Sequence, residues 1–161
     1  MGERVSDRSA ADNARVAVYP PVYFAVPLAV GLALDRAAPV PGVRGRVACA
    51  IGIGSIAAGL AIAAAAIRAI GAAGSDVRPN RPTTALVEGG VFAATRNPIY
   101  VGGTAVFVGA ALLGRSRLAL VLLPIVLAQL DRHVVDREER YLERTFGERY
   151  RTYHARVPRW F

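Results

Sequence analysis

The run Val47–Ile67 carries no charged residue over its whole length. A helix needs about 20 apolar residues to cross a bilayer core, so this run constrains the fold more than any other feature. The rest of the chain agrees. It has 161 residues, 53% of them hydrophobic, yet a formal net charge of +8. The length fits a single domain, but soluble domains of that charge are seldom so apolar. All 20 basic residues are Arg, and they avoid the long apolar stretches and crowd their ends, as in an integral membrane protein. A lone Cys49 rules out a disulfide framework, and with only His133 and His154 beside it no His- or Cys-rich metal site is expected. A pI near 10.7 can signal nucleic acid. The apolar runs make that the weaker reading, and no nucleic-acid partner is expected.

Three further spans follow from the same criterion, giving an all-α membrane bundle. The first, about 16–34, contains Pro20, Pro21 and Pro27. Its broken apolar run, and a leader in which Glu3, Asp7 and Asp12 offset Arg4, Arg8 and Arg15, argue for a retained helix over a cleaved signal peptide. The second is 47–67, where Gly52, Gly54, Ala58 and Gly59 form either a close-packing stripe or mere compositional bias. The third, 99–113, opens after Pro98, a residue suited to a first helical turn. The fourth, 118–135, is long enough only if the helix continues through Val134 and Val135. Residues 1–15 read as a flexible N-terminus and 16–161 as one domain.

Arginine counts set the expected topology. With four spans, 15 of the 20 Arg lie on the side of the termini and the segment Arg68–Asn97. The positive-inside rule makes that side cytosolic, in the inner or plasma membrane of a prokaryote.

The polar residues concentrate on the same side. In the loop 71–97, Pro79 and Pro82 favour extended chain, Gly89-Gly90 permits a turn, and Leu86, Val87, Val91 and Phe92 supply an apolar lining. Arg96-Asn97-Pro98 then leads into the third span. Asn97 suits a helix cap, and Arg96 suits an interfacial charge. In the tail 136–161, Tyr141 or Leu142, Phe146, Tyr150, Tyr153 and Val157 recur at helical spacing, and Gly147 marks a break. Such a basic, striped helix suits an anionic membrane surface, with Trp160 and Phe161 as interfacial anchors. Glu138 and Glu139 stand about one turn past the fourth span, either solvated or paired with a cation.

Taken together, Arg96-Asn97-Pro98-Ile99-Tyr100 and Glu138-Glu139-x-x-Leu142-x-x-x-Phe146-Gly147-x-x-Tyr150-x-x-Tyr153-x-x-x-Val157-x-Arg159 resemble the isoprenylcysteine carboxyl methyltransferase and phospholipid methyltransferase family of integral membrane enzymes. The likeness runs from about Asp76 to the end. It implies methyl transfer from S-adenosylmethionine at the cytosolic membrane face, to an isoprenoid or lipid carboxylate or a lipid amine. The chain itself lacks the strand, glycine-rich loop and helix of a Rossmann methyltransferase. Carried over by residue, the implied cofactor contacts are Thr84, Ala85, Leu86, Val87, Phe92, Asn97, Pro98, Ile99, Tyr100 and Glu138. Arg96 and Tyr100 are the implied catalytic residues, and Arg132 and Glu139 the implied substrate contacts. Glu138 suits an ammonium, and Arg96 a carboxylate of cofactor or substrate. Eukaryotic members carry His where this chain has Asn97, so the motif does not specify the acceptor.

Two other classes compete. A nicotinamide-dependent membrane reductase of sterol-reductase type would use Arg78, Arg81 and Arg96 for phosphates. A non-enzymatic membrane protein would use its arginines for anionic lipid.

Overall fold

The computed structural model describes residues 19–38, 45–76 and 83–160. The N-terminal segment 1–15, the start of the first span at Val16, the loop residues Arg78, Pro79, Arg81 and Pro82, and Phe161 lie outside the described residues. Among the described residues every regular element is helical: α1 (Pro20–Ala37), α2 (Arg46–Ala72), α3 (Pro98–Leu113), α4 (Arg117–Leu130), α5 (Asp136–Phe146) and α6 (Glu148–Arg156). A short 3₁₀ turn, Gly90–Ala93, interrupts the loop before α3, and a π turn, Asp131–Val135, joins α4 to α5.

Glycine decides how α2 meets α3. A Cβ on Gly59 would stand 2.5 Å from the carbonyl oxygen of Gly102, and one on Gly102 would stand 2.5 Å from that of Gly59. One heptad away, a Cβ on Gly109 would stand 2.5 Å from the carbonyl of Gly52. The two backbones touch, as small-residue stripes allow in membranes. Ser55 Oγ adds a 2.7 Å hydrogen bond to the carbonyl of Ala105. Gly54 is not part of this seam, since a Cβ there would meet nothing within 4 Å.

Helix α1 lies along α4, where Gly31 abuts the backbone of Ala119. Asp35, near the end of α1, accepts hydrogen bonds at one oxygen from Ser116 Oγ (2.5 Å) and the Leu118 amide (3.0 Å). Ser116 Oγ in turn accepts from the Ala119 amide at 3.1 Å, so both side chains satisfy the orphan donors that open α4. Phe24 packs on Phe107 with ring centroids 6.4 Å apart, which ties α1 to α3 as well.

Much apolar surface points outward. Val22, Val26, Val30 and Leu34 form an exposed row on α1, with Val47, Ile51 and Leu60 on α2 and Val121 and Ile125 on α4. Apolar rows of that extent suit lipid rather than water. Among the described residues, two helices are long and apolar enough to cross a membrane: Arg46–Ala72 and the continuous Arg117–Phe146. Helix α3 is apolar but shorter, with 16 residues, and the 18 residues of α1 include Asp35 and Arg36. Of the four expected spans, two meet the criterion among the described residues, and α1 and α3 do not.

Candidate active site

The junction before α3 is built by the C-terminal tail. The Arg96 amide donates to the carbonyl of Pro158 at 3.0 Å. The carbonyl of Arg159 accepts from Thr95 Oγ1 at 2.9 Å and from Asn97 Nδ2 at 3.1 Å. Asn97 does stand at the cap position of α3, but its side chain makes no capping bond and serves the tail instead. Pro98 occupies the first turn, where a missing N–H costs nothing.

Opposite this junction stand the two carboxylates. Tyr100 Oη, on the first turn of α3, donates to Glu138 Oε1 at 2.7 Å. Glu139 is buried and faces the arginines, accepting from Arg159 Nε at 3.2 Å and Nη2 at 2.5 Å and pairing with Arg96 Nη2 at 3.3 Å. Arg159 also bonds Asp131 at 3.1 Å and Asp136 at 2.9 Å. The π turn makes that possible, because its i→i+5 repeat stacks Asp131 over Asp136 where an α-helix would splay them. Tightly packed Val134 and Val135 hold the turn in the core.

The third wall is the loop after α2. Ser75 Oγ accepts from the Thr84 amide (3.2 Å), and Thr83 N donates to Tyr141 Oη (3.0 Å). Leu86 packs against Tyr150, Tyr153 and Val157, with Leu142 and Phe146 beside them. Tyr153 Oη donates to the Phe92 carbonyl at 2.8 Å, and burial pushes its phenol up to about 12, so it stays a donor at physiological pH. Arg149 and Arg156 both reach Glu88 at 2.8 Å and hold the far end of the loop. Gly147, at φ +54°, turns α6 back so that its tyrosines face the loop.

These walls enclose one cavity, with about 160 Å³ of room for the centres of water-sized molecules. Leu86, Val87, Phe92 and Ile99 give the lining apolar surface, and Arg96, Tyr100, Glu138 and Tyr150 give it polar groups. Three buried polar atoms have no hydrogen-bond partner among the described residues: Arg96 Nε, Arg96 Nη1 and Tyr150 Oη. Buried donors without a protein partner can be satisfied by a water or by a polar ligand.

A family model described as phospholipid methyltransferase matches residues 47–149. The chain belongs to this family. No curated protein and no solved structure matches the chain. The phospholipid methyltransferase match begins at the charge-free run of α2 and ends at Arg149, so Tyr150, Tyr153 and Arg159 lie beyond it. Membership makes the protein a membrane methyltransferase and favours neither the reductase nor the lipid-binding scaffold.

Most of the residues expected from the sequence meet at this cavity. Ala85, Leu86, Val87, Phe92, Arg96, Asn97, Pro98, Ile99, Tyr100, Glu138 and Glu139 all line it. Two do not. Thr84 is exposed, and its hydroxyl donates to the carbonyl of Gly74 at 2.9 Å, so it shapes the loop instead of the lining. Arg132, in the π turn, is also exposed and is not part of the lining. The tail stripe packs on the loop, where the sequence suggested a membrane surface, and Trp160 packs beside Tyr100, Leu130, Val134 and Val135. Tyr141, Tyr150 and Tyr153 emerge as lining residues, and their helical spacing was the signal for them. The carboxylates around Arg159 had no such signal.

Proposed function

We propose that the protein transfers a methyl group from S-adenosylmethionine to a lipophilic acceptor at the cytosolic face of the membrane. The observation that carries this reading is a single cavity. It joins the Arg96–Tyr100 segment to Glu138 and includes the apolar residues Leu86, Val87 and Phe92 in the same lining.

The chemistry of the donor set fits that cofactor. S-adenosylmethionine supplies an electrophilic methyl group on a sulfonium. Glu138 is oriented by Tyr100 and, when ionised, accepts hydrogen bonds only and suits an ammonium. Arg96 has donors to spare for a carboxylate or phosphate. Leu86, Val87 and Phe92 suit a flat apolar ring. Bringing nucleophile and methyl carbon into line, with water excluded, accounts for much of the rate of such a displacement. A carboxylate acceptor needs no general base, whereas an amine must arrive deprotonated.

The membrane reading that goes with this has four spans and both termini in the cytosol. It is supported by the arginine bias and by the exposed apolar rows on α1, α2 and α4. Calorimetric titration of detergent-purified protein with S-adenosylmethionine tests the cofactor. Saturable binding is expected, with about tenfold or greater loss in Glu138→Ala. No binding by the wild type, or an unaffected Glu138→Ala, rejects the reading.

A further inference from the structure

Arg96 has one of its donor groups engaged and two free. Its side chain is 8% exposed, Nη2 pairs with Glu139 at 3.3 Å, and Nε and Nη1 have no partner among the described residues. The carboxylate that would ordinarily take an arginine fork is Glu139, immediately beside it. Glu139 is held instead by Arg159, whose Nε and Nη2 reach its two oxygens at 3.2 and 2.5 Å. Tyr150 is 2% exposed, and its hydroxyl is the third bare polar atom of the same cavity.

We propose that Arg159 is a positioning residue: by occupying both oxygens of Glu139 it leaves Arg96 Nε and Nη1, together with the Tyr150 hydroxyl, to bind an oxyanion of the ligand. The class of ligand group is a carboxylate or a phosphate, either of which matches a guanidinium edge and a phenolic donor. A carboxylate released from one arginine beside another, with little water between, forms the bidentate pair with the second. Arg159 prevents that capture. The other acidic groups nearby are otherwise engaged: Asp131 and Asp136 are one-third exposed and bonded to Arg159, Glu138 accepts from Tyr100, and Asp76, also in the lining, has an interaction of its own. The inference rests on the methyltransferase reading for its first probe. It adds to that reading two residues, Tyr150 and Arg159, that lie outside the family match.

The tail is docked through the carbonyl of Arg159, which Thr95 and Asn97 hold, so Arg159→Gln removes the guanidinium and keeps that dock. Three probes are titrated into the full-length protein in detergent: S-adenosylmethionine, its decarboxylated analogue, and mixed micelles of dioleoyl phosphatidate. A wild type that prefers S-adenosylmethionine to the analogue by about tenfold or more assigns the subsite to the cofactor carboxylate. Equal affinity for those two, with saturable phosphatidate binding, assigns it to a lipid phosphate. In either case Arg159→Gln weakens binding of the oxyanion probe about tenfold, and Tyr150→Phe weakens it less. The double variant Glu139→Gln/Arg159→Gln restores it, because a neutral amide no longer captures Arg96. Should Arg159→Gln not fold, Arg159→Lys with and without Glu139→Gln makes the same comparison. A tail that acts only as a structural latch predicts a double variant no better than the single one. That result overturns the proposal, as does a wild type that discriminates neither probe. A wild type that binds neither adenosyl compound rejects the methyltransferase reading alone, and the phosphatidate series then judges Arg159.

Discussion

Tyr100 and Glu138, thirty-eight positions apart, share a 2.7 Å hydrogen bond that joins the first turn of α3 to the first turn of α5. The bond couples packing to chemistry, since it aims a part-buried carboxylate into the cavity. Tyr100→Phe keeps the ring and removes the donor. It is expected to cost about 1.5–3 kcal/mol of stability, as for hydrogen bonds to charged groups, and to weaken S-adenosylmethionine binding about tenfold. Thermal unfolding in detergent and calorimetry check the two effects separately.

The helix seam gives a prediction with its own control. Gly59→Ala or Gly102→Ala sets a methyl 2.5 Å from a facing carbonyl, so α2 and α3 must separate. A loss of about 1–3 kcal/mol is expected from such overpacking. Gly54→Ala meets open space and is expected to be neutral or to stabilise by up to about 1 kcal/mol. If unfolding midpoints fall equally for all three, the seam is not what holds these helices.

Gly147 sits between α5 and α6 at φ +54° and ψ −126°, a region that side-chain-bearing residues rarely enter. Gly147→Ala is expected to cost about 1–3 kcal/mol and to loosen the Tyr153 contact to Phe92. Faster proteolysis at the loop 83–97 would report it, and an unchanged cleavage pattern would refute it.

Tyr153 predicts a pH effect. Burial raises its phenol from about 10 to about 12, so its contribution to stability is complete below pH 10. Between pH 10 and 12 the unfolded chain loses the proton first, and that contribution is lost. Unfolding midpoints recorded from pH 8 to 11.5 should fall less steeply above 10 in Tyr153→Phe than in the wild type. Parallel curves would show that this hydroxyl is not the group responsible.

Several of the structural features were legible from residue order alone. Pro98 begins α3, and Gly147 breaks the tail, because proline and glycine act on their own backbone dihedrals. The continuation of α4 past Leu130 was also legible, though not its π turn, whose register depends on what Arg159 and the core demand of it. Gly52, Gly54 and Gly59 look alike in the sequence, and only a facing helix separates the two that touch a backbone from the one that does not.

Two properties follow from the sequence by itself. The charge-free run of α2 is long and apolar enough to cross a membrane wherever the rest of the chain is placed, because hydrophobicity acts residue by residue. The Arg96–Tyr100 and Glu138–Val157 patterns suggested the family that the match over residues 47–149 shows. Tertiary structure alone decided which charges pair. Glu138 goes to Tyr100 and Glu139 to Arg159 and Arg96, although the two glutamates are neighbours in sequence. Successive residues on a helix point about 100° apart, so one carboxylate meets α3 while the next meets the returning tail. That divergence leaves two donor nitrogens of Arg96 free in the cavity, a property of three segments folded together that none of them carries alone.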